Sequence, residues 1–481
     1  MRLSTIIELA KQYLIMGIIL AAVAGVIAAA GYFIVYKKVM KGEKRLRPLT
    51  VVWAGIFLCY LVVMFSATLL DRFSGWTSGR IIPLFYSYRE AWYNFSGADW
   101  RNIVLNILLF VPLGFLLPLG IRRCRRFWVT YLIGFVVTVL IESAQLILRR
   151  GVVEADDILN NFLGTMIGYG CYMLFQGIIS AVQKRKFSVL RMAAAQIPLV
   201  AVGLAFAGIV IMYDHQELGN LNVGFVNRID LSSAQVTTEE TYSSETGTAA
   251  VYKVPVYTEE ETRNMAEQFF ERLGQTLDET RIDLYEETAI YYSTEQNSLW
   301  INYSGGTMEY VDFSVMDRQY PENETDIAAA TGADETTVRD ALLAYGIDFP
   351  ENAEFQEMEG QSGGYTFTVS QQREGDLLYD GTLTCTLYED EKLGDINNNI
   401  LTCEKYKDFP VISEEAACEQ VRKGYFQFYL EEGRQIRELN LGQVTMKYMT
   451  DSKGYYQPVY TFTTSIDGQE DYEIYIPAVE Q

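Results

Sequence analysis

Long apolar runs fill the first 213 residues of this 481-residue chain, and none occurs in the remainder. A helix that crosses a bilayer needs about 20 mostly apolar residues. Six runs meet that length, at about 13–36, 50–70, 102–121, 127–148, 158–181 and 192–213. The pattern therefore predicts an N-terminal all-α membrane bundle of six transmembrane helices.

Helix signals alternate with strand-like stretches in the second half of the chain. Helix starts are indicated at Thr258, near 333–346 and at Ser413, where a capping residue precedes an amphipathic segment with acidic residues in its first turn. Runs rich in β-branched and aromatic residues follow each of these starts. We expect a C-terminal α+β region built from helix-plus-antiparallel-sheet units.

Charge separates the same two halves. Residues 1–213 hold 22 Lys and Arg against 9 Asp and Glu, a net of +13, whereas residues 214–481 hold 17 against 52, a net of −35. The second half is acidic enough to repel the phosphates of nucleic acids. We therefore expect no nucleic acid partner. The predicted domains are a membrane domain at 1–213, a linker with one strand at 214–250 and an acidic α+β region at 251–481, with its last module at about 409–481.

Lysine and arginine clusters indicate the orientation of the bundle. The loops after the first, third and fifth runs carry these clusters, and cytoplasmic loops are enriched in Lys and Arg. The N-terminus and the whole of 214–481 are then expected outside the cell. The lipid bilayer is the first partner that the sequence predicts.

Polar residues inside the apolar runs are the candidate chemistry. Ionisable groups in a membrane are costly and mark functional sites by default, although the alternative is that such residues only hydrogen-bond helices together. The predicted orientation brings nine of them to the outer side of the membrane, and these are the ligand-binding candidates. They are Asn102, Asn106, Glu142, Gln145, Arg149, Arg150, Asp156, Asp157 and Asn161.

Spacing within the runs predicts how the helices pack. Asp157, Asn161, Gly164 and Gly168 form one stripe along the fifth run. Gly164 and Gly168 are a GxxxG pair, which lets a neighbouring helix approach closely. Two prolines in the third run predict a kink whose freed carbonyls neighbouring helices must satisfy.

The sequence gives little support to metal or nucleophile chemistry. His215 is the only histidine and no CxxC occurs, so we expect no metal site and no cofactor. No activated nucleophile is evident, which makes an enzyme the less favoured class. The second half contains Cys385, Cys403 and Cys418, and spacing alone leaves open whether two of them pair or all three are free.

These polar residues carry a resemblance to the VanZ-like family over about residues 50–180. The matching elements run from an outer-loop motif through the third, fourth and fifth runs. They are RIIPLF at 80–85, N-x-x-x-N-x-x-x-F-x-P-x-G from Asn102 to Gly114, E-x-x-Q at Glu142 and Gln145, the pair Arg149–Arg150, and D-D-x-x-x-N-x-x-G from Asp156 to Gly164. Glu154 and Leu105 depart from residues common in the family.

The resemblance implies a multi-pass protein of the bacterial plasma membrane that is linked to tolerance of glycopeptide antibiotics, chiefly teicoplanin. Helix N-termini and arginines at the outer side favour phosphate or carboxylate groups. Our hypothesis is that this face binds an anionic or lipid-linked cell-wall molecule.

The last module, about 409–481, resembles YycI/PepSY-type modules of extracytoplasmic proteins. That resemblance implies an interaction domain outside the cell with an envelope protein as its partner. Two other functions compete with binding. One is a membrane enzyme that acts on a lipid-linked phosphate through Glu142, Asp156 and Asp157, and the other is a transporter, for which the runs offer no inverted repeat.

Overall fold

The computed structural model describes residues 47–70, 81–148, 153–223, 228–313, 328–428 and 435–480, with scattered positions between 15 and 26. The chain divides into two compact units. The first comprises Met1–Asn222 with Leu430–Arg434, and the second comprises Val223–Tyr429 with Gln435–Gln481.

The first unit is helical. Two short strands, β1 (Ile81–Ile82) and β2 (Val153–Glu154), pair in parallel. A 3₁₀ turn at Arg122–Arg125 connects the third and fourth helices. The helices are α1 (Pro48–Phe65, continued by a π-helical turn at Ser66–Leu70), α2 (Tyr86–Asn94), α3 (Gly97–Gly120), α4 (Phe127–Leu148), α5 (Ala155–Val182), α6 (Val189–Ala194) and α7 (Ile197–His215).

Five helical segments among the described residues are long and apolar enough to cross a membrane, and they correspond to the predicted runs from 50–70 onward. They are Pro48–Thr68, α3, α4, α5 and the α6–α7 pair at Val189–His215. The predicted run at 13–36 lies largely outside the described residues, so six spans are not established. The last span is broken between α6 and α7 close to Pro198, since proline lacks an N–H and restricts the residue before it.

Helices α3 and α5 run in parallel at very short separation. A Cβ atom placed on Gly164 would lie 2.0 Å from the carbonyl oxygen of Ile107, and one on Gly168 would lie 2.0 Å from that of Val111. Gly114 of α3 stands in the same relation to the Thr165 carbonyl, also at 2.0 Å. At these three glycines the backbones of α3 and α5 are in direct contact, and we call this contact the α3–α5 seam. A side chain at any of the three positions would force the helices apart.

Side chains of α1 satisfy carbonyls of α3 near its two prolines. Tyr60 donates its hydroxyl proton to the Leu109 carbonyl at 3.0 Å, and the Trp53 indole N–H donates to the Leu116 carbonyl at 2.8 Å. These bonds lie beside Pro112 and Pro118, where proline removes backbone donors from the helix.

Among the described residues, the second unit contains three helices and a 14-stranded sheet. The helices are α8 (Glu259–Arg272), α9 (Glu335–Ala344) and α10 (Glu414–Arg422). The strands are β3 (Gln235–Thr238), β4 (Gly247–Lys253), β5 (Leu277–Leu284), β6 (Thr288–Ser293), β7 (Ser298–Asn302), β8 (Met308–Val311), β9 (Glu354–Glu357), β10 (Gly364–Glu374), β11 (Leu377–Leu387), β12 (Leu393–Asn398), β13 (Leu401–Val411), β14 (Glu438–Thr450), β15 (Tyr455–Ile466) and β16 (Gln469–Pro477).

Strand order along the main path of the sheet is β3-β14-β15-β4-β13-β11-β12-β8-β7-β6-β5. Strand β10 pairs with β11 and β9, and β16 pairs with β15. One pairing, β3 with β14, is parallel, so the sheet is mixed and the expectation of purely antiparallel units is wrong there. Residues 214–250, predicted as a linker with one strand, supply β3 and the start of β4.

Helices α8, α9 and α10 each begin after a residue whose side chain caps the helix. Thr258 accepts the Glu261 amide proton at 3.3 Å, while the Glu261 carboxylate accepts the Thr258 amide proton at 2.7 Å. Asp334 caps α9, and Ser413 caps α10. Such caps stabilise a helix by about 1 kcal/mol each, which is why all three starts were predictable from sequence.

Helix α10 is shorter than the sequence pattern indicates. The predicted helix from Ser413 runs through FQFYL, but α10 ends at Arg422 because Gly424 takes a positive φ of 78°. A Cβ atom on Gly424 would also lie 2.0 Å from the Ile229 carbonyl oxygen, so glycine is required at this close approach.

The three cysteines of the second unit are buried free thiols. Burial raises the pKa of Cys385 and that of Cys403 to about 12, and nearby carboxylates act in the same direction. Cys418 on α10 also has a raised pKa, again mainly from burial. The thiols are therefore protonated at neutral pH and unreactive as nucleophiles.

Replacement of Gly168 by alanine is predicted to destabilise the membrane unit by about 1–3 kcal/mol, because the added methyl group collides with the Val111 backbone. The matched control is Gly203→Ala on α7, where a Cβ atom meets nothing within 4 Å. Thermal midpoints of the detergent-solubilised full chain, read by fluorescence-detected size exclusion, distinguish the two. Equal midpoints for both variants would show that the α3–α5 seam is not tight.

Candidate functional site

A group of buried polar side chains lies where α3 and α5 begin and α4 ends, and we call it the polar cluster. Its members are Asn106, Thr138, Glu142, Gln145, Asp156, Asp157, Asn160 and Asn161. All except Asn106, which is half-buried, have at most 4% of their surface exposed. Thr138, Glu142 and Gln145 share one face of α4 at helical spacing, because they stand at i, i+4 and i+7.

Asp156 caps a helix to which it does not belong. Its Oδ1 accepts the amide proton of Phe85 at 2.6 Å, and its Oδ2 accepts that of Ser87 at 2.8 Å. These amides begin α2, whose own N-cap residue, Phe85, has a left-handed φ of 68° and offers no capping side chain. The carboxylate also stands in the first turn of α5, so it lies at the positive ends of two helix dipoles.

The next residues of α5 link it to α3 and α4. Asn106 of α3 donates its side-chain amide proton to Asp157 Oδ1 at 2.5 Å. Asn161 donates to the Thr138 hydroxyl of α4 at 3.0 Å. Together these contacts join the three helices that carry the predicted site residues.

Buried acceptor atoms in the polar cluster retain hydrogen-bonding capacity. Oε1 of Gln145 and Oδ1 of Asn161 have no hydrogen-bond partner among the described residues. The Gln145 amide nitrogen donates to the Thr68 carbonyl at 2.8 Å, which fixes its side chain against the end of α1. Leaving a buried acceptor unpaired costs about 1–3 kcal/mol, so such atoms indicate a place where a donor can bind.

The sequence reasoning missed four residues of the site, which are Ser87, Tyr88, Thr138 and Asn160. The Tyr88 hydroxyl of α2 donates to Asn160 Oδ1, and the Ser87 hydroxyl donates to Glu154 Oε2 at 2.8 Å. Burial, with a smaller contribution from the charge of Asp156, raises the pKa of Tyr88 to about 12, so Tyr88 remains a neutral donor. Thr138 was findable from sequence, because it extends the Glu142 and Gln145 stripe by one turn.

The three remaining predicted site residues, Asn102, Arg149 and Arg150, are not members of the polar cluster. Asn102 is exposed and does not join the polar cluster. Arg149 and Arg150 lie outside the described residues. Arg101, in the first turns of α3, has a buried Nε with no hydrogen-bond partner in the part of the chain that the structure describes.

Carboxylates in this unit do not converge as metal ligands do. Asp156 and Asp157 are adjacent in sequence but make contacts with different helices, α2 and α3. Within the described ranges no three His, Cys, Asp or Glu side chains are arranged to hold a metal ion. The chemistry that the polar cluster offers is hydrogen bonding and charge, supplied by amides, a hydroxyl and three carboxylates.

Replacement of Asp156 by asparagine is predicted to loosen α2, because one amide of its first turn loses its acceptor and the helix dipole loses its anion. We expect faster amide hydrogen exchange across 85–94, with a loss of about 1–2 kcal/mol in local stability. Hydrogen-exchange mass spectrometry of the full chain measures this exchange rate. The control is Glu90→Gln, an exposed carboxylate on the same helix. The same exchange rate in both variants would contradict the capping role.

Comparison with known protein families gives a match to the membrane unit. The family model VanZ/LLP1 matches residues 52–176, which include α1 to α5 almost completely. No curated protein matches the chain. Among solved structures, the Bacillus megaterium YpeB C-terminal domain is similar at 13% identity with a TM-score of 0.21, covering 47% of this chain and 100% of that one.

A TM-score of that size supports no argument about the second unit. The family match, by contrast, spans the polar cluster and the glycine seam together. Residues 52–176 thus match the VanZ/LLP1 family model, in a chain with several apolar helices that could cross a membrane and with a separate C-terminal unit.

Proposed function

We propose that the membrane unit binds an anionic or lipid-linked molecule of the bacterial cell envelope at the polar cluster, and that this binding contributes to teicoplanin tolerance. The observation that carries the proposal is the pair of buried acceptors, Gln145 Oε1 and Asn161 Oδ1, in a helix bundle that matches the VanZ/LLP1 family. Acceptors of this kind suit hydroxyl or amine donors such as those of a cell-wall sugar or peptide.

Donors for the anionic part of the ligand lie at the same end of the bundle. Arg101 has a buried Nε whose hydrogen-bonding capacity is unused among the described residues, and α3 and α5 both begin here with their positive dipole ends. A guanidinium group binds phosphate or carboxylate through two parallel hydrogen bonds. Arg149 and Arg150 are assigned to this end by sequence.

The competing enzyme function requires carboxylates that are available for proton transfer. Both oxygens of Asp156 accept amide protons from α2, and Asp157 accepts a proton from Asn106. Hydrogen bonds of this kind give both carboxylates a structural role in joining the helices. In the enzyme hypothesis Glu142, which is 3% exposed, is therefore the residue left to act as an acid or base.

For the second unit we propose a location outside the cell and a protein partner of the envelope. Its net charge from residue 214 onward is −35, which suits a solvated, extracytoplasmic region better than a site for anions. Its exposed face therefore favours basic partners through long-range attraction.

Drug susceptibility in a sensitive Gram-positive host tests the proposed function. Expression of the full chain should raise the inhibitory concentration of teicoplanin more than that of vancomycin. Gln145→Met should abolish the increase, because loss of a buried hydrogen-bonding group weakens binding by about ten-fold or more. The Arg149→Ala variant should behave in the same way.

The matched control is Gln196→Met, which removes a half-buried amide that also donates to backbone carbonyls, those of Gly170 and Met192. Immunoblots of membrane fractions establish equal expression. Tolerance that survives Gln145→Met but is lost in Glu142→Gln would replace binding by the enzyme hypothesis. No increase with the full chain would reject the role in tolerance for this protein.

A further inference from the structure

The end of the bundle opposite the polar cluster carries positive charge without any neighbouring acid in sequence. Between Asp99 and Glu142, and again between Asp157 and Asp214, the chain contains no Asp or Glu. The α3–α4 turn and the α5–α6 connection lie in these stretches. Their basic residues are Arg122, Arg123, Arg125, Arg126, Lys184, Arg185, Lys186 and Arg191.

A tyrosine of α5 fixes the position of the α3–α4 turn. The Tyr169 hydroxyl of α5 donates to the Arg125 carbonyl at 2.9 Å, which holds the turn against α5. The ring of Tyr172 lies beside that of Tyr169, with 6.0 Å between their centroids.

The position of Arg191 is fixed by the packing of α6 on α5. The Gln196 side chain donates to the Gly170 carbonyl at 3.0 Å, and Ser188 caps α6 through the Arg191 amide. Because Gly170 has no side chain, the backbone after α6 approaches α5 closely, and a Cβ atom there would lie 2.6 Å from the Ala195 carbonyl oxygen. Arg191 and Arg125 are thus presented by two elements that are both anchored to α5.

Neither arginine is neutralised within the described residues. Both are exposed, and the ion pairs seen there join other residues. Two exposed guanidinium groups without carboxylate partners among the described residues keep their hydrogen-bond donors available for a phosphate group.

Apolar side chains around the same end distinguish a lipid from a free ion. Phe127 and Trp128 at the start of α4 and Val189 and Leu190 at the start of α6 are more than half exposed. Aromatic and aliphatic residues beside Lys and Arg are typical of a membrane interface, where acyl chains and headgroups meet. A soluble phosphate would gain nothing from these side chains.

We infer that Arg125 and Arg191, carried by two elements anchored to α5 at Tyr169 and Gly170, bind the phosphate of an anionic phospholipid headgroup at the end of the bundle away from the polar cluster. The site is separate from the proposed function, because it shares no residue with the polar cluster. It would make the α5–α6 region dependent on the lipid composition of the membrane.

Native mass spectrometry of the full-length protein in detergent with added phosphatidylglycerol tests the inference. The double variant Arg125→Gln with Arg191→Gln should bind phosphatidylglycerol about ten-fold more weakly than the unaltered protein, since each basic residue near an anionic headgroup strengthens binding several-fold. The control, Arg122→Gln with Lys186→Gln, removes the same charge from the same end and should lose less than half of that effect. Phosphatidylcholine measures the charge-independent background.

Three results would overturn the inference. Equal weakening in the two double variants would mean that only diffuse surface attraction operates. Unchanged binding in the Arg125 and Arg191 variant would place the lipid elsewhere. Displacement of phosphatidylglycerol by millimolar inorganic phosphate would assign the site to a free phosphate ion.

Discussion

Backbone contact between α3 and α5 is the constraint on which the membrane unit depends. Gly114, Gly164 and Gly168 leave no atom between the two helices, so their separation is set by carbonyl oxygens and not by side chains that could repack. Dispersion at such short range replaces the hydrophobic effect, which does not operate between helices in lipid. Only at this separation can the short Asn106 side chain reach Asp157 across the seam.

Ordering of the polar cluster follows from that contact. Once α3 and α5 are parallel and adjacent, their first turns lie side by side, and Asp156 can reach the amides of α2 while Asn161 reaches Thr138 on α4. Several members of the polar cluster therefore hold the bundle together. Few of its described polar atoms remain available for a further hydrogen bond. A binding function and a structural function are carried by neighbouring residues of the same helices.

Local signals made much of the fold predictable from sequence. Apolar length predicted the five described spans. Local sequence also predicted helices from Thr258, near 333–346 and from Ser413, because such signals depend only on nearby residues. Contacts between distant residues were not predictable. Phe85 and Asp156 are 71 positions apart, so neither α2 nor its capping carboxylate left a local signal. The side chain of Gln371, in a β-bulge, likewise pairs with the Tyr448 backbone 77 positions away.

The buried thiols of the second unit have a consequence for how that unit can be made. Cys385, Cys403 and Cys418 sit on two strands and a helix, each packed among apolar side chains as a small hydrophobic residue would be. The sheet is held by strand pairing and packing alone, so maturation requires neither an oxidant nor a disulfide isomerase. The folded unit needs no disulfide, but its three thiols must stay reduced until packing covers them.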